Sequence, residues 1–219
     1  NITARISLDS LGGVVVMVKG YTRPTAKLTA KNVKLLLQSS LGSMLWHLRS
    51  LPMASNKVTL SDAQRERIGP AIGRIPSGLF ILTAADEEHR AGMLCSWVQQ
   101  VCFEPAMVSV AVAKGRPIMP LISESRRFGL CQLSEADKTT LRKFASGHDM
   151  NDDPFLGVDL IENVSHVPII RNTMSYMICE LTCHMDVEGD HDLFIGTVAD
   201  GEYKAGEPRV HVRTDGFKY

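Results

Sequence analysis

The chain has 219 residues, of which 44% are hydrophobic and 22% charged, with 24 basic and 24 acidic side chains. This length and apolar content suffice for one sizeable core plus an appendage and exclude a compositionally disordered chain. The zero net charge argues against a nucleic-acid partner of the basic-patch kind, and no apolar run reaches the ~18 residues of a membrane span.

The balance conceals a boundary. Residues 1–52 carry seven basic residues (Arg5, Lys19, Arg23, Lys27, Lys31, Lys34 and Arg49) against one acid, Asp9. Residues 53–219 therefore keep 17 basic and 23 acidic residues, a net charge of −6. Such a shift divides the chain into a basic N-terminal extension, 1–52, and a domain, 53–219. The extension reads as spurious upstream translation, an organelle-type targeting segment, or the tail of a larger polypeptide. The first is preferred, because Met53 opens a stretch that resembles a natural start. Within it, positions 32–51 have the spacing of a short amphipathic helix.

Beyond Met53 the signals become regular. Ser61-Asp-Ala-Gln64 is a capping-box pattern that predicts a helix start, and Gly69, Pro70 and Gly73 predict its end or a kink. The apolar run from Gly78 to Ala84 has strand length, and Asp86 to Arg90 is a polar turn. Met93–Phe103 and Met107–Ala113 are further strands, separated by Glu104-Pro105, and Phe128–Leu133 is another. Ser134–Ala145 reads as a helix capped by Ser134, followed by a polar loop at 147–154. Tyr176–Val187 and Leu193–Ala199 pair across a turn at Gly189-Asp190. Many strands and few helices predict a mainly β fold, a closed or nearly closed barrel.

The five cysteines, Cys95, Cys102, Cys131, Cys179 and Cys183, are odd in number and form no Cys-x-x-Cys pair. They predict buried, unreactive thiols in a reducing, cytoplasmic compartment. Cys179, Cys183 and His184 lack the second close pair that a structural zinc site uses, so no metal is expected. His148, Asp149, Asp152 and Asp153 lack the spacing of a metal loop and read as a solvated acidic loop. The sequence has no Gly-rich nucleotide fingerprint, phosphate loop, nucleophile elbow or His-Glu-x-x-His motif.

The chemistry concentrates between Gly92 and Arg116. A strand through Met93 and Leu94 that ends in the small and hydroxyl residues Cys95 and Ser96, ahead of Trp97 and Val98, leaves backbone N–H groups free for an anion. A second strand delivers Lys114, Gly115 and Arg116: an ammonium, a flexible joint and a guanidinium fork. Trp97 adds a flat wall for an aromatic ligand. These ingredients suit a phosphorylated planar molecule, but equally a core tryptophan beside a solvated basic turn.

A resemblance separates the two. Cys95 to Pro105, Ala111-Val-Ala-Lys-Gly-Arg116, Pro76-Ser-Gly78, Cys179-Glu-Leu-Thr-Cys183, Gly189-Asp-His191 and the ending Thr214 to Tyr219 stand in the order found in flavin reductase-like FMN-binding proteins. The chain is most similar to the C-terminal flavin reductase module of cyanobacterial flavodiiron proteins, over about residues 60–219. The resemblance implies an FMN-binding split barrel, a homodimer with FMN near the subunit interface, and NAD(P)H as electron donor. It implies FMN contacts from Met93, Leu94, Cys95, Ser96, Trp97, Val98, Cys102, Lys114, Gly115 and Arg116, with His191 beside the flavin as the catalytic candidate. Leu94 departs from the family's Thr or Ser, and Gln99 and Cys102 replace serines, so the contacts implied there are those of the backbone. The expected function is an NAD(P)H-dependent flavin reductase. The alternatives are an FMN electron-relay module for a flavodiiron-type or other acceptor protein, and a split-barrel oxidase of a pyridoxal-type amine.

Overall fold

The computed structural model describes the backbone of residues 3–8 and 14–19, and residues 58–145, 153–161 and 166–218. The chain divides into two compact units, Asn1–Thr59 and Leu60–Tyr219. In the first, strands β1 (Thr3–Leu8) and β2 (Val14–Lys19) pair antiparallel. The helix expected at 32–51 lies outside the described residues.

The second unit is built on a seven-stranded antiparallel sheet. Its strands are β4 (Phe80–Ala85), β5 (Arg90–Cys95), β6 (Val98–Cys102), β7 (Met107–Ala113), β8 (Arg127–Gln132), β11 (Ser175–Asp186) and β12 (His191–Tyr203). Their order is β5-β4-β8-β11-β12-β7-β6. The stretch expected as one strand, Met93–Phe103, is therefore two. It breaks at Ser96-Trp97, where the chain passes from β5 at one edge of the sheet to β6 at the other. Consecutive strands on opposite edges are what a curled, split barrel requires. The curl shows in the packing, since Phe80, Leu82, Val110, Val112, Phe128, Leu130 and Phe194 meet in one buried cluster. Gly196 permits it, because a Cβ there would lie 2.6 Å from the Phe128 ring.

Helix α2 (Ile118–Ser125) packs into this cluster through Ile118, Leu121 and Ile122. The sequence reading missed it, because Pro120 looks like a breaker. At the third helical position, however, the missing N–H has no intrahelical partner to lose.

A second apolar layer covers the outer face of β4 and β8. It joins Leu79, Ile81, Cys131 and Leu133 to Phe155, Ile169, Ile170 and Phe144 of helix α3 (Lys138–Ala145). Burial on both faces explains why β4 reads as a continuous apolar run rather than an alternating one. Helix α3 is shorter than expected. Ser134 does not cap it but forms an isolated bridge with Pro208, and its N–H and hydroxyl both bond Asp137. Short pairs complete the unit: β9 (Leu160–Ile161) with β10 (Ile169–Ile170), and β3 (Ser77–Gly78) with β13 (Val210–His211).

Helix α1 (Asp62–Gly73) starts at the predicted capping box, with Ser61 and Gln64 each bonding the other's backbone. It runs through Pro70 and ends at Gly73, the last of the three residues expected to end or kink it. Its glycines serve close approach: a Cβ on Gly73 would meet the Arg213 carbonyl oxygen at 2.8 Å. There the C-terminal arm is pinned, with Arg213 N–H donating to Gly73 O and Gly216 N–H to Gly69 O.

Candidate functional site

The alternation of the barrel strands decides which side chains leave the core. On β7, Val108, Val110 and Val112 point inward, so Ala111 and Ala113 face out; on β12, Phe194 points inward and His191 out. Outside the barrel wall lies a cavity of about 550 Å3. Met93, Leu94, Cys95 and Ser96 at the end of β5 form one wall, with Ala111 and Ala113 beside them. Helix α3 supplies Leu141, Phe144 and Ala145. Gly92 lets that helix approach, since a Cβ there would strike the Phe144 and Phe155 rings at 2.7 and 2.9 Å.

Four cationic or ionisable groups line this apolar cavity: Arg116, His191, Arg209 and His211. No carboxylate lines it among the described residues. Arg116 follows the turn at Gly115, whose φ of +81° suits glycine. The Arg116 guanidinium has no hydrogen bond or ion pair among the described residues. Ser96 is 3% exposed, and its buried hydroxyl has no partner there either. A buried hydroxyl without a partner costs free energy unless something else satisfies it. A cavity with flat apolar walls, unpaired donors and no acid is chemically suited to a planar anionic molecule.

Of the predicted site residues, the structure brings together Met93, Leu94, Cys95, Ser96, Arg116 and His191. Trp97 stands beside them. Its ring lies 4.6 Å from the His191 ring, tilted by 44°, and the Arg213 guanidinium lies 5.2 Å from its centre. The others lie off the cavity lining. Val98 pairs with Val110 and packs on the core, and Cys102 is at the far end of β6, with its Sγ donating to Glu104 O. Lys114 turns to the β11–β12 hairpin: Nζ lies 2.7 Å from Asp186 and 3.5 Å from Asp192, and its N–H donates to Asp190 O. The bond to Asp186 raises the Lys114 pKa and lowers that of Asp186.

His191 Nδ1 lies 2.9 Å from Asp190, whose pKa is lowered first by that bond. His184, weighed with Cys179 and Cys183 as a metal site, instead holds Asp192 at 2.8 Å and stacks on Phe194. Burial pushes the Cys95 and Cys179 thiols up to about 12 and Cys131 to about 11, so none is a nucleophile at neutral pH. Of the polar loop, Asp153 is described, paired with Arg90; His148, Asp149 and Asp152 lie outside the described residues.

The sequence reading missed Arg209 and His211, and the apolar wall from α3. A signal existed for the first two. Arg209, His211 and Arg213 alternate with Val210 and Val212, so an extended chain presents all three on one side.

Residues 72–216 match the family model described as flavin reductase like domain. Diflavin flavoprotein A 1 of Synechocystis sp. is 36% identical over 156 residues, covering 68% of this chain and 26% of that protein. The chain thus spans about a quarter of the length of that relative. Among solved structures, an NADH:FAD oxidoreductase of Streptomyces globisporus superposes with a TM-score of 0.62 at 23% identity, over 71% of this chain and 92% of the other. The styrene monooxygenase flavin reductase of Pseudomonas putida superposes at 0.57 with 25% identity, over 65% and 90%. The fold is therefore the split barrel of flavin reductases, and the chain belongs to the flavin reductase like domain family.

Proposed function

We propose that the chain binds FMN in the cavity and acts as an NAD(P)H-dependent flavin reductase. The observation that carries this reading is the pairing of a carboxylate-free cavity lined by Arg116 with the unpartnered buried Ser96 hydroxyl. Arg116 would hold the flavin phosphate as a charge-assisted fork, and Ser96 would donate its orphaned hydroxyl to the ligand. Ala111 and Ala113 leave room along the barrel wall for a flat ring, and α3 shields the opposite side from water. The bound flavin supplies the electron-transfer chemistry, while the protein supplies binding, orientation and electrostatics. His191, held by Asp190 and Trp97, would shape the approach of the nicotinamide without acting as an obligatory acid. Purified protein should show a flavin spectrum that bleaches when NADH or NADPH is added without oxygen; a colourless protein that takes up no FMN would refute the reading.

The expected effect at His191 is kinetic. His191→Ala should slow flavin reduction by NAD(P)H roughly 10-fold, the size of one lost contact of about 1.4 kcal/mol in the transition state. FMN affinity and reduction by dithionite should be nearly intact. Rapid-mixing kinetics at saturating NAD(P)H decide it, and an unaltered rate assigns His191 to the hairpin.

A second reading, an electron-relay module with little activity alone, is supported by the relatives of which this chain matches only a quarter. The two separate on whether the isolated chain turns over free flavin with NAD(P)H. We further propose a symmetric dimer. Edge strand β6 exposes Gln99, Gln100 and Val101, and the nearby Phe103 is 89% exposed. Light scattering of the flavin-loaded protein should give twice the chain mass; a loaded monomer would refute it. Residues 1–52 are proposed to be dispensable: a chain starting at Met53 should unfold cooperatively and bind FMN with unchanged affinity. The five cysteines are all free thiols, which supports a reducing, cytoplasmic setting.

A further inference from the structure

The cavity holds more nitrogen donors than one phosphate needs, and two of the residues that carry them come from an unusual segment. From Arg209 to Arg213 the C-terminal arm alternates. Arg209, His211 and Arg213 are half-buried, while Val210 and Val212 are 61% and 43% exposed. A half-buried strand ordinarily turns its valines inward and its cations to water. The reversal turns Arg209, His211 and Arg213 to the inner face of the arm, where Arg213 lies over the Trp97 ring.

Main-chain bonds fix the arm in this orientation. Arg209 N–H donates to Leu133 O, β13 pairs Val210 with Gly78 and His211 with Ser77, and Arg213 N–H donates to Gly73 O. Among the described residues the Arg209 side chain spends one donor, Nη1, on Glu135 O at 3.1 Å. The His211 ring has no hydrogen bond or ion pair there. Both residues line the cavity.

We propose that Arg209 and His211 form a second anion subsite, separate from Arg116, that takes the diphosphate of a dinucleotide; this rests on the flavin-site reading above. A guanidinium beside an imidazole offers several donors to two adjacent anionic groups, which a diphosphate presents and the monophosphate of FMN does not. The diphosphate has two sources, the nicotinamide donor and FAD.

Binding experiments distinguish them without reference to turnover. FMN-loaded protein is titrated with NAD+ or NADP+ by calorimetry, and apoprotein with FMN and with FAD by fluorescence quenching. Arg209→Gln and His211→Gln should each leave FMN affinity within about twofold and weaken dinucleotide binding roughly 10-fold. Loss confined to the nicotinamide dinucleotide assigns the subsite to the donor, loss confined to FAD assigns it to the flavin, and loss of both marks a shared subsite. No loss, or an equal loss for FMN, overturns the proposal. Arg209→Lys keeps the charge but loses the fork, so its dinucleotide affinity should fall between that of the natural protein and that of Arg209→Gln, with FMN affinity unchanged. Wild-type protein that binds no flavin would refute the site reading itself, whereas normal FMN binding with indifferent variants refutes only the subsite.

Discussion

Arg116→Ala is expected to bind FMN roughly 10- to 100-fold more weakly than the natural protein, the effect of losing one charge-assisted partner worth about 1.5–3 kcal/mol. Riboflavin, which lacks the phosphate, should bind almost as before, so the preference for FMN over riboflavin should collapse. The expectation follows from position and from pairing. Arg116 lines the cavity just beyond the Gly115 turn, and no described residue occupies its guanidinium. Nothing must be broken before it can bind an anion, and no buried acid is stranded when it is removed. Titration of apoprotein with both flavins measures the effect, and an unchanged FMN affinity would refute the assignment.

Lys114 differs, although the sequence places both cations in one turn. Its ammonium already bonds Asp186 and lies near Asp192. Asp186→Asn separates a phosphate ligand from a clamp. If Lys114 serves the phosphate, releasing it should tighten FMN binding. If it ties the turn to the β11–β12 hairpin, FMN and riboflavin should weaken equally. We expect the second, and a small change, because an exposed pair of this kind contributes no more than about 1 kcal/mol.

These two residues show what the sequence could and could not express. Arg116, Ser96 and His191 were legible because strand alternation and turn chemistry are local, and the resemblance put them in order. The fate of Lys114 was not, because its partner Asp186 lies 72 positions away on another strand. The break at Ser96-Trp97 was hidden for the same kind of reason. Strand-forming residues flank it on both sides, and only the position of the two strands on opposite sheet edges reveals the break. Pro70 lies in the interior of α1, where it forfeits an intrahelical bond without ending the helix, whereas Pro120 sits at the third position of α2, where no such bond is lost. Arg209 and His211 carried a period-two signal, but in a stretch of alternating Val and cations the usual rule would put the valines inside. The cavity wall on α3 was invisible as a site, because Leu141 and Phe144 look like any core-facing pair.

That wall supplies the largest expected stability effect. Phe144 is 2% exposed, yet it lines the cavity, so it belongs to the core and the site at once. Its ring lies 5.7 Å from Phe155, above the gap that Gly92 leaves in β5, within the layer holding Leu79, Ile81 and Leu133. Phe144→Ala removes a ring from a packed layer that the flanking strands cannot collapse to fill. The cost should be about 3–5 kcal/mol. For a domain of this size that corresponds to a drop of roughly 6–20 °C in melting temperature. The hole would also open onto the cavity, so FMN affinity should fall with stability. Phe144→Leu retains most of the apolar volume and should restore much of both. Calorimetric melting with and without FMN measures the two effects separately. A melting temperature within about 2 °C of the natural protein would mean that α3 is not anchored through Phe144. A large drop in stability with FMN affinity intact would remove the helix from the ligand's wall and leave Met93 to Ser96 and Arg116 to hold the flavin.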